Sequence, residues 1–134
     1  MEYKTQEFLK EYVNVRDKRI KYYLSPLLNK FKFTHAFFTK SGSELQIDLL
    51  AKNFNKNKVN YFNNQIHSNF IVFGSNLNSG EKYNADGIIT NKSSQNIWIY
   101  TADCMPILIA DKERRIVSAV HCGRQGLEKK IIIK

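Results

Sequence analysis

Two cysteines and a histidine lie close together near the C-terminal end of the sequence, on either side of apolar runs. Cys104 stands in TADCMPILIAD, and His121 and Cys122 stand in RIVSAVHCG. If MPILIA and RIVSAV pair as antiparallel strands around a tight turn at Lys112 and Glu113, Cys104 and His121 lie directly opposite each other. A thiolate and an imidazole in that arrangement are within reach of one zinc ion, whereas Cys122 faces the other side of the sheet.

A third candidate ligand is His67 in the polar segment NNQIHSN, between two strand-like runs. Loops often present binding residues, and a catalytic zinc commonly has three protein ligands and a fourth, open position. The residue types alone leave two other interpretations open, in which His67 is an ordinary loop histidine and Cys104 a small buried hydrophobe. A site formed by His67, Cys104 and His121 is therefore a hypothesis that needs their convergence in space.

Composition limits the class of protein that carries these residues. The chain has 134 residues, 43% of them hydrophobic, which fits one globular domain, and two cysteines are too few for a disulfide framework. The N-terminus lacks the apolar core of a secretory signal, and no apolar run approaches the roughly 18 residues of a membrane span, so we expect a cytoplasmic protein. The net charge is +9, but the cations are mostly Lys and are spread along the chain, which favours a solvated basic surface over a nucleic-acid-binding face.

The patterning predicts a mixed α/β domain over residues 1–134 with a largely antiparallel or mixed sheet. We expect a hairpin from EYVNV and IKYYL, a short helix over Pro26–Lys30 capped by Ser25, a buried strand in THAFFTK and a helix over residues 44–55. Short apolar runs then follow as strands: VNYF, FIVFG, DGIIT, NIWIY, MPILIA and RIVSAV. A final helix is expected to start in GRQGLEKK.

Five segments resemble, in order, the motifs of the YfiH/YlmD laccase-domain family. TADCMPILIAD and VSAVHCGRQGL are similar to its TADC-P-V-L-L and AVHAGWRG signatures, QIHSN to QVHG, NADGIIT to ADG/ADA, and THAFFTKSG to HGFFTR-x-G. The resemblance implies a cysteine-hydrolase-like α/β fold, with flanking helices, and a zinc bound by His67, Cys104 and His121. Because family members are longer, it also implies that the C-terminal half of the domain is missing.

The same resemblance implies a purine nucleoside phosphorylase acting on adenosine, inosine and methylthioadenosine with phosphate, with adenosine deamination as a side activity. Copper-dependent phenol oxidation, also associated with the family, ranks lower because one cysteine and two histidines do not supply several copper centres. Lys40 stands where the family has arginine and keeps a positive charge for phosphate. Arg124 and Gln125 stand where the family has Trp-Arg, so Arg124 is the other candidate for binding the anion.

Two further residues receive structural interpretations, and two other functions stay open. Asp103 is expected to point away from the metal along its strand, and His35 to pack beside the neighbouring phenylalanines. One alternative function is a metal-free hydrolase or deamidase with Cys104 as nucleophile and His121 as base. The other is a truncated, non-catalytic basic binding module. The sequence does not indicate an oligomeric state.

Overall fold

The first element of the fold is a tight β-hairpin, seen in a computed structural model that describes residues 6–43, 45–54 and 58–133. Strands β1 (Leu9–Val15) and β2 (Lys18–Leu24) pair antiparallel in full register. Arg16 and Asp17 connect them with φ angles of 48° and 63°, the left-handed conformation of a two-residue hairpin loop. The predicted hairpin is confirmed, but its turn is shorter than expected because two left-handed residues already close it.

The short helix α1 (Pro26–Lys30) follows the hairpin directly. The Ser25 hydroxyl accepts a hydrogen bond from the Leu28 amide at 3.3 Å, and Pro26 occupies the first turn, where no amide hydrogen is needed. The predicted cap and helix are confirmed. The ring of His35 braces this region, since its Nε2 accepts from the Ser25 amide at 2.7 Å and its Nδ1 donates to the Phe33 carbonyl at 2.8 Å.

The described elements that follow α1 in the N-terminal unit, residues 1–57, pack against the hairpin. The strand predicted in THAFFTK is reduced to β3 (Phe37–Phe38), half-buried and paired with β2. Helix α2 (Ile47–Phe54) buries Ile47, Leu50 and Ala51 and contacts β1. The helix predicted over 44–55 is confirmed across α2, while positions 44 and 55 lie outside the described residues.

In the C-terminal unit, residues 58–134, the structure describes two sheets over residues 58–133. Strands β4 (Val59–Tyr61) and β7 (Gln95–Ile97) form a parallel pair. The larger sheet has two short strands, β5 (Ile71–Phe73) and β6 (Gly87–Thr90), and two long strands, β8 (Met105–Asp111) and β9 (Ile116–Cys122). Their order is β5-β6-β9-β8, with β5 parallel to β6 and the other pairs antiparallel. Helix α3 (Arg124–Glu128) follows β9. The predicted mixed α/β class is confirmed, while the single domain expected over residues 1–134 stays a prediction.

The register of β8 and β9 differs from the expected one. Pro106, not Cys104, lies opposite His121, so the predicted direct opposition is wrong by two residues. The cause is a four-residue loop, because the Asp111 carboxylate accepts the amides of Glu113 and Arg114 at 2.9 and 3.0 Å and holds the loop open. Since side chains alternate with a period of two, a two-residue shift keeps the expected face.

Two further features follow from where the strands and helices end. Strand β8 begins only at Met105, so Asp103 is exposed before the strand and not within it, which corrects its expected position. Within residues 6–43, 45–54 and 58–133, none of the helices has the length and apolar character that crossing a membrane requires.

Candidate metal centre

Three residues from separate segments of the C-terminal unit converge on one point. Ligand atoms of His67, Cys104 and His121 all lie within 4.8 Å of one another. The two imidazole rings are nearly perpendicular, at 77°, with their centroids 5.0 Å apart. The structure therefore brings together all three of the residues that the sequence singled out as candidate ligands.

His67 is held in place by its backbone. It lies in the connection between β4 and β5 and has a φ of 59°, in the left-handed region that few non-glycine residues adopt. The consecutive amides of Ile66, His67 and Ser68 donate to the carboxylate of Asp86 at 3.2, 3.0 and 2.7 Å. These three hydrogen bonds stabilise the turn that presents the imidazole of His67.

The same carboxylate orients His121. Nδ1 of His121 donates to Oδ1 of Asp86 at 2.8 Å, with His121 4% and Asp86 1% exposed. An ionised carboxylate only accepts, so Nδ1 carries the proton and the lone pair of Nε2 is left for a metal. Burial raises the pKa of Asp86, but the hydrogen bonds from Ser68, His121 and the Ile66 amide lower it more, and the net pKa lies below its ordinary value.

Cys104 is half-buried immediately before β8, and its sulfur lies beside Gly123. A Cβ on residue 123 would lie 2.9 Å from Sγ of Cys104 and 3.3 Å from Cδ2 of His67. The absence of a side chain at Gly123 therefore leaves the space in which the thiolate and the imidazole approach each other.

The donor set and its surroundings fit a zinc ion. One thiolate and two imidazoles are ligands that zinc prefers, and His67 is exposed while His121 is buried, so one side of the cluster faces solvent. A tetrahedral zinc separates such ligand atoms by about 3.3–3.6 Å, so ligand atoms as far apart as 4.8 Å would approach each other by at most about 1.5 Å on binding. A single Cys-His-His set of this kind is not the several copper centres that laccase chemistry uses.

The other residues considered from the sequence lie outside this cluster. Cys122 is buried with Val120 and Ile131 in an apolar group, on the face expected for it. Arg124 is the first residue of α3 and is exposed, and its Nε lies 4.0 Å from Oε1 of Glu128. Lys40 is exposed in a 3-10 turn of the N-terminal unit. Phosphate binding by Arg124 and Lys40 stays a prediction.

Asp86 is the residue to which sequence reasoning assigned no role. It lies in NADGIIT, where an acidic residue directly precedes a buried apolar strand. Such a carboxylate must find hydrogen-bond donors, because burying a charge without them is costly. The available signal in the sequence was therefore an acidic residue next to an apolar strand. Only the fold shows that its hydrogen-bond donors belong to the segments that carry His67 and His121.

The chain is similar to known proteins in sequence and in fold. The family model described as "Multi-copper polyphenol oxidoreductase laccase" matches residues 44–134. Relatives named purine nucleoside phosphorylase include a Clostridium acetobutylicum protein, 33% identical over 92% of this chain and 51% of its own length. Others are from Rickettsia prowazekii, 32% identical over 74% and 43%, and Haemophilus influenzae, 31% identical over 78% and 42%.

A solved structure supports the fold. A Neisseria meningitidis protein of the family DUF152 superposes with a TM-score of 0.58 at 20% sequence identity, over 96% of this chain and 55% of that one. The chain thus spans about half the length of the relatives that it matches. The likeness covers the mixed α/β fold that carries the cluster.

Proposed function

Because the chain belongs to the YfiH/YlmD laccase-domain family, we propose that it is a purine nucleoside phosphorylase with a zinc centre. The convergence of His67, Cys104 and His121 within 4.8 Å carries this proposal. The relatives named purine nucleoside phosphorylase support the reaction class. Adenosine, inosine and methylthioadenosine are the proposed nucleosides, phosphate is the second substrate, and adenosine deamination is a proposed side activity.

The residues of the chain have distinct tasks in this proposal. Asp86 keeps the proton on Nδ1 of His121, so that Nε2 faces the metal position. His67 and Cys104 complete the donor set on its more exposed side. A bound zinc would supply a Lewis acid with one position open to substrate or water. Arg124 and Lys40 are the proposed sources of positive charge for phosphate.

The test combines metal analysis with turnover of nucleosides in the presence and absence of phosphate. We expect one zinc per chain and release of adenine from adenosine only when phosphate is present. Cys104→Ala should lose the metal and reduce turnover by more than about 100-fold. Substituting a residue that only hydrogen-bonds to a metal ligand already reduces metal affinity or activity about 10- to 100-fold, and loss of a ligand should cost more. Cys122→Ala, which changes the other cysteine outside the cluster, should keep both properties.

The alternative functions predict different outcomes of the same test. Turnover that survives a chelator but not Cys104→Ala would favour the metal-free Cys/His hydrolase. Full zinc loading without turnover of any of the three nucleosides would favour the non-catalytic binding module. Conversion of adenosine to inosine at a higher rate than the phosphate-dependent release of adenine would identify deamination as the main reaction.

A further inference from the structure

A second surface, in the N-terminal unit, combines cations with tyrosines. Side chains alternate along paired strands, so one face of the β1–β2 hairpin carries six residues that we call the cation–tyrosine face. They are Lys10, Tyr12 and Asn14 on β1 and Arg19, Lys21 and Tyr23 on β2. None of the six is acidic, four of them are exposed, and Lys21 and Tyr23 are half-buried.

The opposite face of the hairpin packs inside the unit. Val15 and Ile20 are buried there, and the ring of Tyr22 meets the ring of Phe54 from α2 at 5.3 Å. Glu11 pairs with Tyr22 on that side, away from the cation–tyrosine face. Because alternate side chains of the hairpin pack inside the unit, the side chains between them, which include the cations and the two tyrosines, point outward.

The register places aromatic rings and cations in alternation. Tyr12 lies opposite Lys21, and Lys10 lies opposite Tyr23. Tyr12 and Tyr23 are then diagonal neighbours on the two strands, a relation that typically separates the backbones of two residues by about 7–8 Å. The Arg19 guanidinium lies 3.8 Å from the Tyr12 ring centroid, so the stacked pair presents a flat cationic surface. The sequence predicted the hairpin but not its register, and the register is what brings these cations beside the tyrosines.

We propose that the cation–tyrosine face binds single-stranded nucleic acid. Bases stack on aromatic rings and on guanidinium planes, which Tyr23 and the Tyr12–Arg19 pair offer. Lys10 and Lys21, each opposite a tyrosine, are placed for the phosphates between successive bases. A duplex or an anionic membrane would need only the charges, so the interleaved tyrosines favour a strand with exposed bases.

The test is the salt dependence of binding, measured by fluorescence anisotropy of a labelled oligo(dT) or oligo(U) with the full chain. Three cations on the face predict a slope of log K against log salt of about −2, at about −0.7 per phosphate contact. Lys10→Gln should reduce the slope to about −1.4. Tyr12→Leu should leave the slope unchanged and weaken binding about 5-fold or more, because it removes stacking but no charge.

Lys52→Gln is the matched control, because Lys52 is an exposed cation of the same unit on α2. It should leave both the slope and the affinity unchanged. Absence of oligonucleotide binding, equal binding of Tyr12→Leu and wild type, or tighter binding of duplex or of anionic vesicles would each overturn the proposal. Circular dichroism checks the fold of each variant, and if Tyr12→Leu does not fold, the wild-type slope and Lys10→Gln decide.

Discussion

At the residue scale, the carboxylate of Asp86 links two of the three candidate ligands. One oxygen accepts the His67 amide and the His121 ring, and the other accepts the amides of Ile66 and Ser68 together with the Ser68 hydroxyl. A single buried side chain thus fixes both the backbone that presents His67 and the tautomer of His121. Positioning of the metal centre depends on this residue although it is not one of the proposed ligands.

Asp86→Asn should weaken zinc binding about 10- to 100-fold and lower the free energy of unfolding by at least about 2 kcal/mol. The amide keeps the shape of the side chain but turns an NH₂ group toward donors that need an acceptor. Zinc titration against a chromogenic chelator and urea unfolding of the metal-free protein measure the two effects. Asp103→Asn removes an exposed carboxylate beside Cys104 and is the control, and equal zinc affinity of both variants would contradict the role of Asp86.

At the element scale, the β1–β2 turn is short and carries residues poorly suited to it. Arg16 and Asp17 both adopt the left-handed conformation, which costs about 1–2 kcal/mol for a residue such as Arg and less for Asp, whose short polar side chain can form local hydrogen bonds. Two-residue hairpin loops of this kind prefer Asn-Gly. The conformational preferences of the turn residues therefore do not set the strand register. The register, and with it the cation–tyrosine face, follows from which side chains of β1 and β2 are buried.

Replacing Arg16→Asn and Asp17→Gly together should stabilise the protein by about 1 kcal/mol, because the new residues accept left-handed φ angles more readily. Thermal unfolding followed by circular dichroism measures the change. Glu113→Gly, in the β8–β9 loop at a position without a positive φ, should give no stabilisation. A double variant that melts at or below the wild-type temperature would contradict the strain assigned to this turn.

At the scale of the whole molecule, all three proposed zinc ligands belong to the C-terminal unit of residues 58–134. A ligand that binds only the folded state stabilises it by mass action. Binding of the proposed zinc would therefore stabilise the fold of that unit by joining three segments that are far apart in the chain.

Saturating zinc, at about 100 times its dissociation constant, should add about 2.7 kcal/mol to the free energy of unfolding, and a chelator should reverse the gain. Thermal unfolding with and without zinc measures the effect. Cys122→Ala should retain the response and Cys104→Ala should lose it. A zinc response that persists in Cys104→Ala would place the metal elsewhere in the protein.

The sequence by itself determined the local features and the identity of the candidate ligands. The Ser25 cap and the succession of strands along the chain follow from residue types within a few positions, because capping and alternation act over short distances. His67, Cys104 and His121 could be singled out because metal-binding chemistry depends on residue type. These inferences did not require knowing which segments are neighbours in space.

Only the tertiary structure decided how distant segments meet. The β8–β9 register depends on hydrogen bonds of Asp111 inside its loop, and a loop length of two or four residues has no clear pattern in the sequence. The role of Asp86 depends on donors from positions 66–68 and 121, and the cation–tyrosine face depends on the pairing of two strands. The Asp86 contacts join residues 18 to 35 positions apart. Both strand registers depend on which of several possible turns closes the hairpin, which residue type alone does not decide.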